Sequence, residues 1–226
     1  MEKNWKLSPS DFAFLWEECT RCFYLKVAMG FRRPRTPMPK VFNRIDSIMK
    51  EHFKGKNSAA ISPALPPGVV EHAERWVESR PISLPGRSST CFIRGKFDTA
   101  IRFEERSYGV VDFKTAGSNA AHVALYGRQL HAYAYALENP APGRLSLAPV
   151  SRLGLLCVEP VNMVNMEDGS SVYRTEVHWI ECPRDDSEFL KFLDGILEIL
   201  ERPDPPAASP TCPWCRYRDA ARRTAL

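Results

Sequence analysis

The sequence predicts an α/β protein, a mixed central β-sheet flanked by helices, and three observations carry that expectation. Segments with helical spacing of apolar residues and segments with strand character follow one another as α-α-α-β-β-α-β-β-α, an order that fits a layered sheet-and-helix fold. One segment, Ser151 to Val158, is almost wholly apolar, as expected of a central strand covered on both faces. Another, Tyr108-Gly109-Val110-Val111-Asp112-Phe113-Lys114-Thr115, runs apolar and then turns abruptly charged, which marks the buried end of a strand.

Each element has a local reason. Ser8-Pro9-Ser10-Asp11 is a helix start with proline just inside a serine cap. The helix it opens is expected over about Asp11 to Met29, with Phe12, Leu15, Trp16, Cys19, Phe23 and Val27 on its apolar side. The proline-rich stretch Arg33 to Pro39 ends it. A second helix is expected over about Val41 to Phe53 and a third over about Val69 to Ser79, separated by the Pro63 to Pro67 loop. Strands follow at about Thr90 to Phe103 and Tyr108 to Thr115, joined by a charged hairpin. The stretch from about Ala120 to Glu138 is helical in pattern and stops at Asn139-Pro140. Strands at Ser151 to Val158 and Val172 to Cys182 precede an amphipathic helix over about Asp185 to Leu200. Pro203-Asp204-Pro205-Pro206 then leads to the tail.

The chain has 226 residues, 44% hydrophobic and 26% charged, enough for one domain with a substantial core. We divide it into an N-terminal helical part (7–80), a central core (90–200) and a C-terminal cysteine tail (203–226). No apolar run approaches the roughly 20 residues that span a bilayer, and Met1 to Lys6 lacks a signal-peptide core, so cytoplasmic residence with no membrane contact is expected. A net charge of +4 permits nucleic-acid binding without demanding it. Arg32-Arg33-Pro34-Arg35, with Lys40 and Arg44 beyond, reads either as a solvated linker or as a phosphate-contacting patch.

The chemistry concentrates at Arg94-Gly95-Lys96-Phe97-Asp98 and Asp112-Phe113-Lys114. In a strand, residues i and i+2 share a face, so Asp112 and Lys114 project together, and an antiparallel neighbour brings Asp98 beside them. Two carboxylates and an ammonium on one patch suit metal-assisted phosphodiester hydrolysis, because carboxylates hold a hard divalent cation and lysine sits where negative charge develops. Gln129 and Tyr133, at i and i+4, reach one cleft from a helix face, although Tyr133 reads equally as core beside Tyr126 and Tyr135. His131 points elsewhere as a surface or core residue, and Arg128 is a candidate phosphate contact. Of seven cysteines, Cys91, Cys157 and Cys182 lie in apolar strand context as inert thiols. Cys19-Thr20-Arg21-Cys22 and Cys212-Pro213-Trp214-Cys215 form two C-x-x-C pairs near the chain ends, a four-thiolate set suited to zinc or an iron–sulfur cluster.

Together Gly95-Lys96-Phe97-Asp98, Asp112-Phe113-Lys114 and Gln129-Leu130-His131-Ala132-Tyr133 resemble the three elements of the PD-(D/E)XK nuclease superfamily, in its RecB-like branch. Cys19-Thr20-Arg21-Cys22-Phe23-Tyr24-Leu25 is similar to that branch's N-terminal C-P-R-x-F-Y-L element. The resemblance implies a restriction-endonuclease-like core and Mg2+ or Mn2+ held by Asp98 and Asp112. It implies a third ligand on the second helix, where Asp46 stands in place of the usual histidine, with Glu51 and His52 as alternatives. Lys114, Gln129 and Tyr133 would then complete the catalytic group. Members with an iron–sulfur staple, among them the CRISPR adaptation nucleases, pair one N-terminal cysteine with three near the C-terminus. This chain has Ala221 where the third would fall, and Cys22 takes its place. The expectation is a [4Fe–4S] cluster, with Zn2+ as the alternative, on Cys19, Cys22, Cys212 and Cys215. The implied function is a DNA nuclease of exonuclease or flap type acting on single strands or duplex ends, with an unspecified helicase, repair or CRISPR partner. The alternatives are a non-catalytic nucleic-acid-binding or assembly subunit and a zinc-stapled interaction module.

Overall fold

The computed structural model describes residues 3–224 apart from 35, 36, 38, 116, 118 and 120. In chain order its elements are β1 Asn4–Leu7, a one-turn α1 Pro9–Asp11 running into a π-helical turn Phe12–Trp16, α2 Thr20–Met29 and α3 Lys40–Phe53. Then come β2 Gly68–Ala73, β3 Trp76–Glu78, β4 Thr90–Lys96, β5 Thr99–Phe103, β6 Tyr108–Lys114 and α4 Ala121–Glu138. The chain closes with β7 Val150–Asn165, β8 Ser171–Glu181, α5 Asp186–Leu200 and α6 Pro213–Arg223.

Five strands form one sheet in the order β2-β5-β6-β7-β8, and three form a second in the order β1-β4-β3. β6 and β7 run parallel, joined by the α4 crossover, and the other neighbours of the larger sheet are antiparallel. The expected α/β class, a mixed sheet flanked by helices, is what the chain adopts. α4 contacts strands of both sheets, which is why Leu130, Ala132, Ala134, Ala136 and Leu137 are all buried and its apolar surface extends beyond a single stripe.

Three local expectations need correction. The segment 69–79, expected as a helix, is β2 and β3. Val70, Ala73 and Val77 mimic helical spacing, but Val70 is buried between exposed Val69 and Glu71, and β-branched residues suit the edges offered by β5 and β4. Glu74, at φ 51°, turns the chain between them. The helix expected over 11–29 is interrupted at Cys19, whose extended backbone (φ −166°, ψ 105°) starts α2 afresh. The strand expected over 90–103 is two strands in different sheets, and the chain changes sheets at Phe97-Asp98. Buried Phe97 anchors that junction, so Asp98 sits where the sheets part. Gly95, just before it, allows close approach: a Cβ there would lie 2.8 Å from Pro9 and 3.1 Å from the Tyr133 ring. Strand β1 and helix α6 were not anticipated; α6 begins at Pro213, in the first turn after Cys212.

Candidate active site

The pairing of β5 with β6, Thr99 opposite Val111, places Asp98 next to Asp112 at the end of the ladder. Asp98 Oδ2 accepts a hydrogen bond from the Phe113 amide at 3.0 Å, which fixes its carboxylate against β6. Asp112 is buried, and the Lys114 ammonium lies directly against its Oδ2. Gln129, one turn before Tyr133 on α4, donates from Nε2 to Asp112 Oδ1 at 3.0 Å. Burial, with the adjoining Asp98 charge, pushes the Asp112 carboxyl up to about 6 against the pull of Lys114. The Lys114 ammonium also sits 4.1 Å from the centre of the Tyr126 ring. Tyr133 turns its hydroxyl to the Lys96 carbonyl at 2.9 Å.

Helix α3 supplies the third side. Lys50 Nζ lies 2.7 Å from Asp46, 2.9 Å from Asp98 and 3.3 Å from Glu74. One cation therefore already occupies the space between the carboxylates of α3, the β4–β5 junction and the β2–β3 turn. Desolvation works against the Lys50 charge, but Asp46 and Asp98 override it and raise its pKa. Glu74 also meets Lys96 at 3.1 Å, and its amide donates to the Asp98 carbonyl at 2.8 Å, so the left-handed turn delivers its carboxylate to the site. Asp46 faces this cluster. Glu51 is 79% exposed and pairs with Lys54, and His52 is exposed beside Lys56, so neither alternative approaches Asp98.

At the far side, Cys19, Cys22, Cys212 and Cys215 are all buried, with their sulfurs within 4.8 Å of one another. The Cys22–Cys215 separation is 3.5 Å, and Cys19–Cys215 and Cys22–Cys212 are each 3.8 Å. Two guanidiniums point at the sulfurs: Arg33 donates to Cys212 at 3.2 Å and Arg218 to Cys215 at 3.0 Å. Burial pushes Cys215 up to about 12, whereas at Cys19 hydrogen bonds with Ser209, Cys22 and Cys215 outweigh burial and lower the thiol to about 7. This four-cysteine cluster links the N- and C-terminal segments, as the two C-x-x-C pairs implied, and could hold a metal ion or cluster.

Residues 43–220 match the PD-(D/E)XK nuclease superfamily. The chain belongs to that superfamily. The match runs from α3 to α6 and encloses every carboxylate described above. Comparison with curated proteins finds no match. A solved structure, "Crystal structure of SSO0001", aligns at 14% identity over 89% of this chain and 79% of that chain with a TM-score of 0.43, a likeness too distant to carry any inference.

For a PD-(D/E)XK protein, the sequence reading located Asp98, Asp112, Lys114, Gln129 and Asp46 in one place but missed Lys50 and Glu74. Lys50 carried a signal, being i+4 from Asp46 on one helix face. Glu74 carried none, since its segment read as a helix. Arg128, expected as a phosphate contact, is instead ion-paired with Glu17 and stacked on Phe192. His131 is a core residue, its Nε2 accepting from the Asp185 amide at 2.8 Å. Arg35 of the basic stretch lies outside the described residues. Among the described residues, no helix is long and apolar enough to cross a membrane.

Proposed function

We propose that the protein is a divalent-metal-dependent deoxyribonuclease of the RecB-like kind, hydrolysing phosphodiester bonds in single strands or at duplex ends. The observation that carries this reading is the convergence of Asp98, Asp112, Lys114 and Asp46 around one buried, carboxylate-rich end of β6. All-oxygen donors suit Mg2+ or Mn2+, and the buried Asp112 Oδ2, already facing the Lys114 ammonium, is an oxygen set against positive charge. When bound by Asp46, Asp98 and Asp112, such an ion would polarise the scissile phosphate. Lys50 marks where positive charge is favoured, and its flexible stem lets the ammonium yield that space.

The chain's own groups account for the rest. Lys114, held between Asp112 and the Tyr126 ring, supplies a positive charge to the phosphorane and donates a hydrogen bond that orients the attacking water. Gln129 fixes Asp112 through Nε2 and keeps Oε1 as a buried acceptor without a partner among the described residues. Tyr133, its hydroxyl engaged by Lys96, is a positioning residue that steadies the strand leading to Asp98.

In the cysteine cluster, three sulfur separations of 3.5 to 3.8 Å, with all four sulfurs within 4.8 Å, lie near the roughly 3.8 Å edge of a tetrahedron built on Zn–S bonds of about 2.3 Å. This supports a single Zn2+ over the [4Fe–4S] cluster, whose inorganic core would hold the sulfurs further apart. Arg33 and Arg218 would offset the charge of four thiolates. The domain division (7–80, 90–200, 203–226) then describes one nuclease unit closed by this staple. The test is incubation of end-labelled single- and double-stranded DNA with Mn2+ or with EDTA. Cleavage with Mn2+ alone is expected, and equal products in EDTA, or none with either, would overturn the assignment.

A further inference from the structure

Two cavities outside this site share one lining residue, Arg32. The first, of about 570 Å³, begins at Lys96 and Tyr133, beside the carboxylate cluster, and is bordered by Trp76, Arg94 and Lys6. The second, of about 400 Å³, lies between the turn after α2 and helix α6, bordered by Phe31, Trp214, Tyr217 and Arg218. Arg32 lines both, so the cavities adjoin at its side chain and together offer a path with Lys96, an ion-pair partner of Glu74, at one end and Cys22 of the cysteine cluster at the other.

The make-up of this path is unusual for solvent-facing surface. Three large rings stand open along it: Trp76 is 62% exposed, Phe31 55% and Tyr217 72%. Cations alternate with them. The Arg94 guanidinium lies 5.7 Å from the Trp76 ring centre and Arg218 5.4 Å from that of Phe31, so two of the rings are flanked by guanidiniums that hold them in place. Lys6 and Arg32 are exposed and have no carboxylate partner among the described residues. The path's one buried carboxylate, Asp11, is taken by Lys26 at 2.5 Å. Gly30, at φ 67°, ends α2 in a left-handed cap and turns Phe31 and Arg32 outward together. Exposed rings interspersed with cations, of which Lys6 and Arg32 have no carboxylate partner among the described residues, fit a ligand that offers flat apolar faces and a regular negative charge.

We propose that this path binds a single strand of nucleic acid, its bases stacking on Trp76, Phe31 and Tyr217 and its phosphates meeting Lys6 and Arg32, and delivers it to the Asp98–Asp112 site. The proposal deepens the nuclease reading and rests on it for the direction of travel, whereas strand binding stands without catalysis. Stacking is tolerant of base identity, so the path accepts strands with little regard to sequence. A duplex keeps its bases stacked on one another and cannot offer them to the three rings.

The experiment measures binding alone. Full-length protein in EDTA is titrated into fluorescein-labelled oligothymidylate of about fifteen nucleotides, into oligouridylate of the same length and into a DNA duplex, each at several salt concentrations, by fluorescence anisotropy. Tyr217→Ala and Trp76→Ala should each weaken single-strand binding by roughly fivefold to a hundredfold while changing duplex binding less. Arg32→Ala should lower the slope of log affinity against log salt by about 0.7. All three side chains are exposed, so the fold should survive, and unchanged melting temperatures confirm it. Adding oligodeoxyuridylate, which differs from oligouridylate in the sugar alone, identifies the sugar that the path prefers. A parent protein that binds neither single strand, or variants that bind both with unchanged affinity and salt slope, would overturn the proposal. Such a failure leaves Mn2+-dependent cleavage intact, whereas failure of the nuclease reading abolishes cleavage without touching these affinities.

Discussion

Asp98 and Asp112 face each other across one ladder step, and what each can do depends on its neighbours. Asp112 is buried with its carboxyl pushed up to about 6, so in the metal-free protein it is protonated below that pH at no electrostatic cost. A carboxyl raised above its ordinary value contributes stability that is complete below about 4 and is lost as pH rises through 6. From this group alone, metal-free protein should lose stability as pH rises from 4 to 7. Cation binding needs the ionised form, so Mn2+ affinity should rise up to tenfold per pH unit below 6 and level off above it. A Mn2+ titration by thermal shift at several pH values checks this, and a flat profile between pH 5 and 7 would count against Asp112 as a ligand. Asp46 pairs with Lys50, which also pairs with Asp98, whereas Glu51 is exposed and pairs only with Lys54 among the described residues. Asp46→Ala should therefore raise the Mn2+ needed for half-maximal cleavage by roughly tenfold or more, and Glu51→Ala should leave it unchanged. The reverse pattern would transfer the role. The Asp112–Lys114 pair was legible because alternation in a strand is geometric. The Lys50 and Glu74 contacts were not, because they depend on how α3 and the β2–β3 turn fold onto the sheet.

The decisive element is the β4–β5 junction, where the chain leaves one sheet for the other and Asp98 is exposed to the cleft. Its geometry rests on close contact among Gly95, Pro9 and Tyr133. Gly95→Ala should push Pro9 and the Tyr133 ring apart, cost about 1–3 kcal/mol and lower the melting temperature by roughly 2–12 °C, read by differential scanning calorimetry. Because Tyr133 holds the Lys96 carbonyl, activity should fall further than stability alone explains. Full activity with unchanged melting would show that this contact does not position Asp98. Strands β6, β7 and β8 and helices α4 and α5 were legible from apolar runs and helical spacing. The 69–79 segment was misread because Val70, Ala73 and Val77 fall at helical intervals, whereas Val70 and Val77 are buried positions of two short edge strands. Whether such a segment coils or pairs is decided by the open edges of β5 and β4, which local sequence does not contain.

Across the whole molecule, the cysteine cluster joins residues 190 or more positions apart, Cys22 to Cys212 and Cys19 to Cys215, and ties α2 to α6. Losing a bound ion there frees both terminal segments, so Cys212→Ser or a strong chelator should lower the melting temperature by roughly 5 °C or more. Cys157→Ser, in a buried strand without sulfur partners, should cost less. Equal losses, with no metal found by elemental analysis of the parent, would show that the four sulfurs form no site. Elemental analysis also separates one zinc per chain from iron with sulfide. The staple was legible as two C-x-x-C pairs, and its metal was not, because spacing specifies the donors and only their separation in space specifies what fits among them. The nuclease assignment itself is tested most directly by single-turnover cleavage of labelled DNA by Lys114→Ala, compared with the parent at saturating Mn2+. The loss should be on the order of a hundredfold or more in protein that still folds and binds DNA, because the substitution removes a charge from the transition state while saturating Mn2+ takes over the balancing of Asp112. Turnover equal to the parent would contradict the assignment.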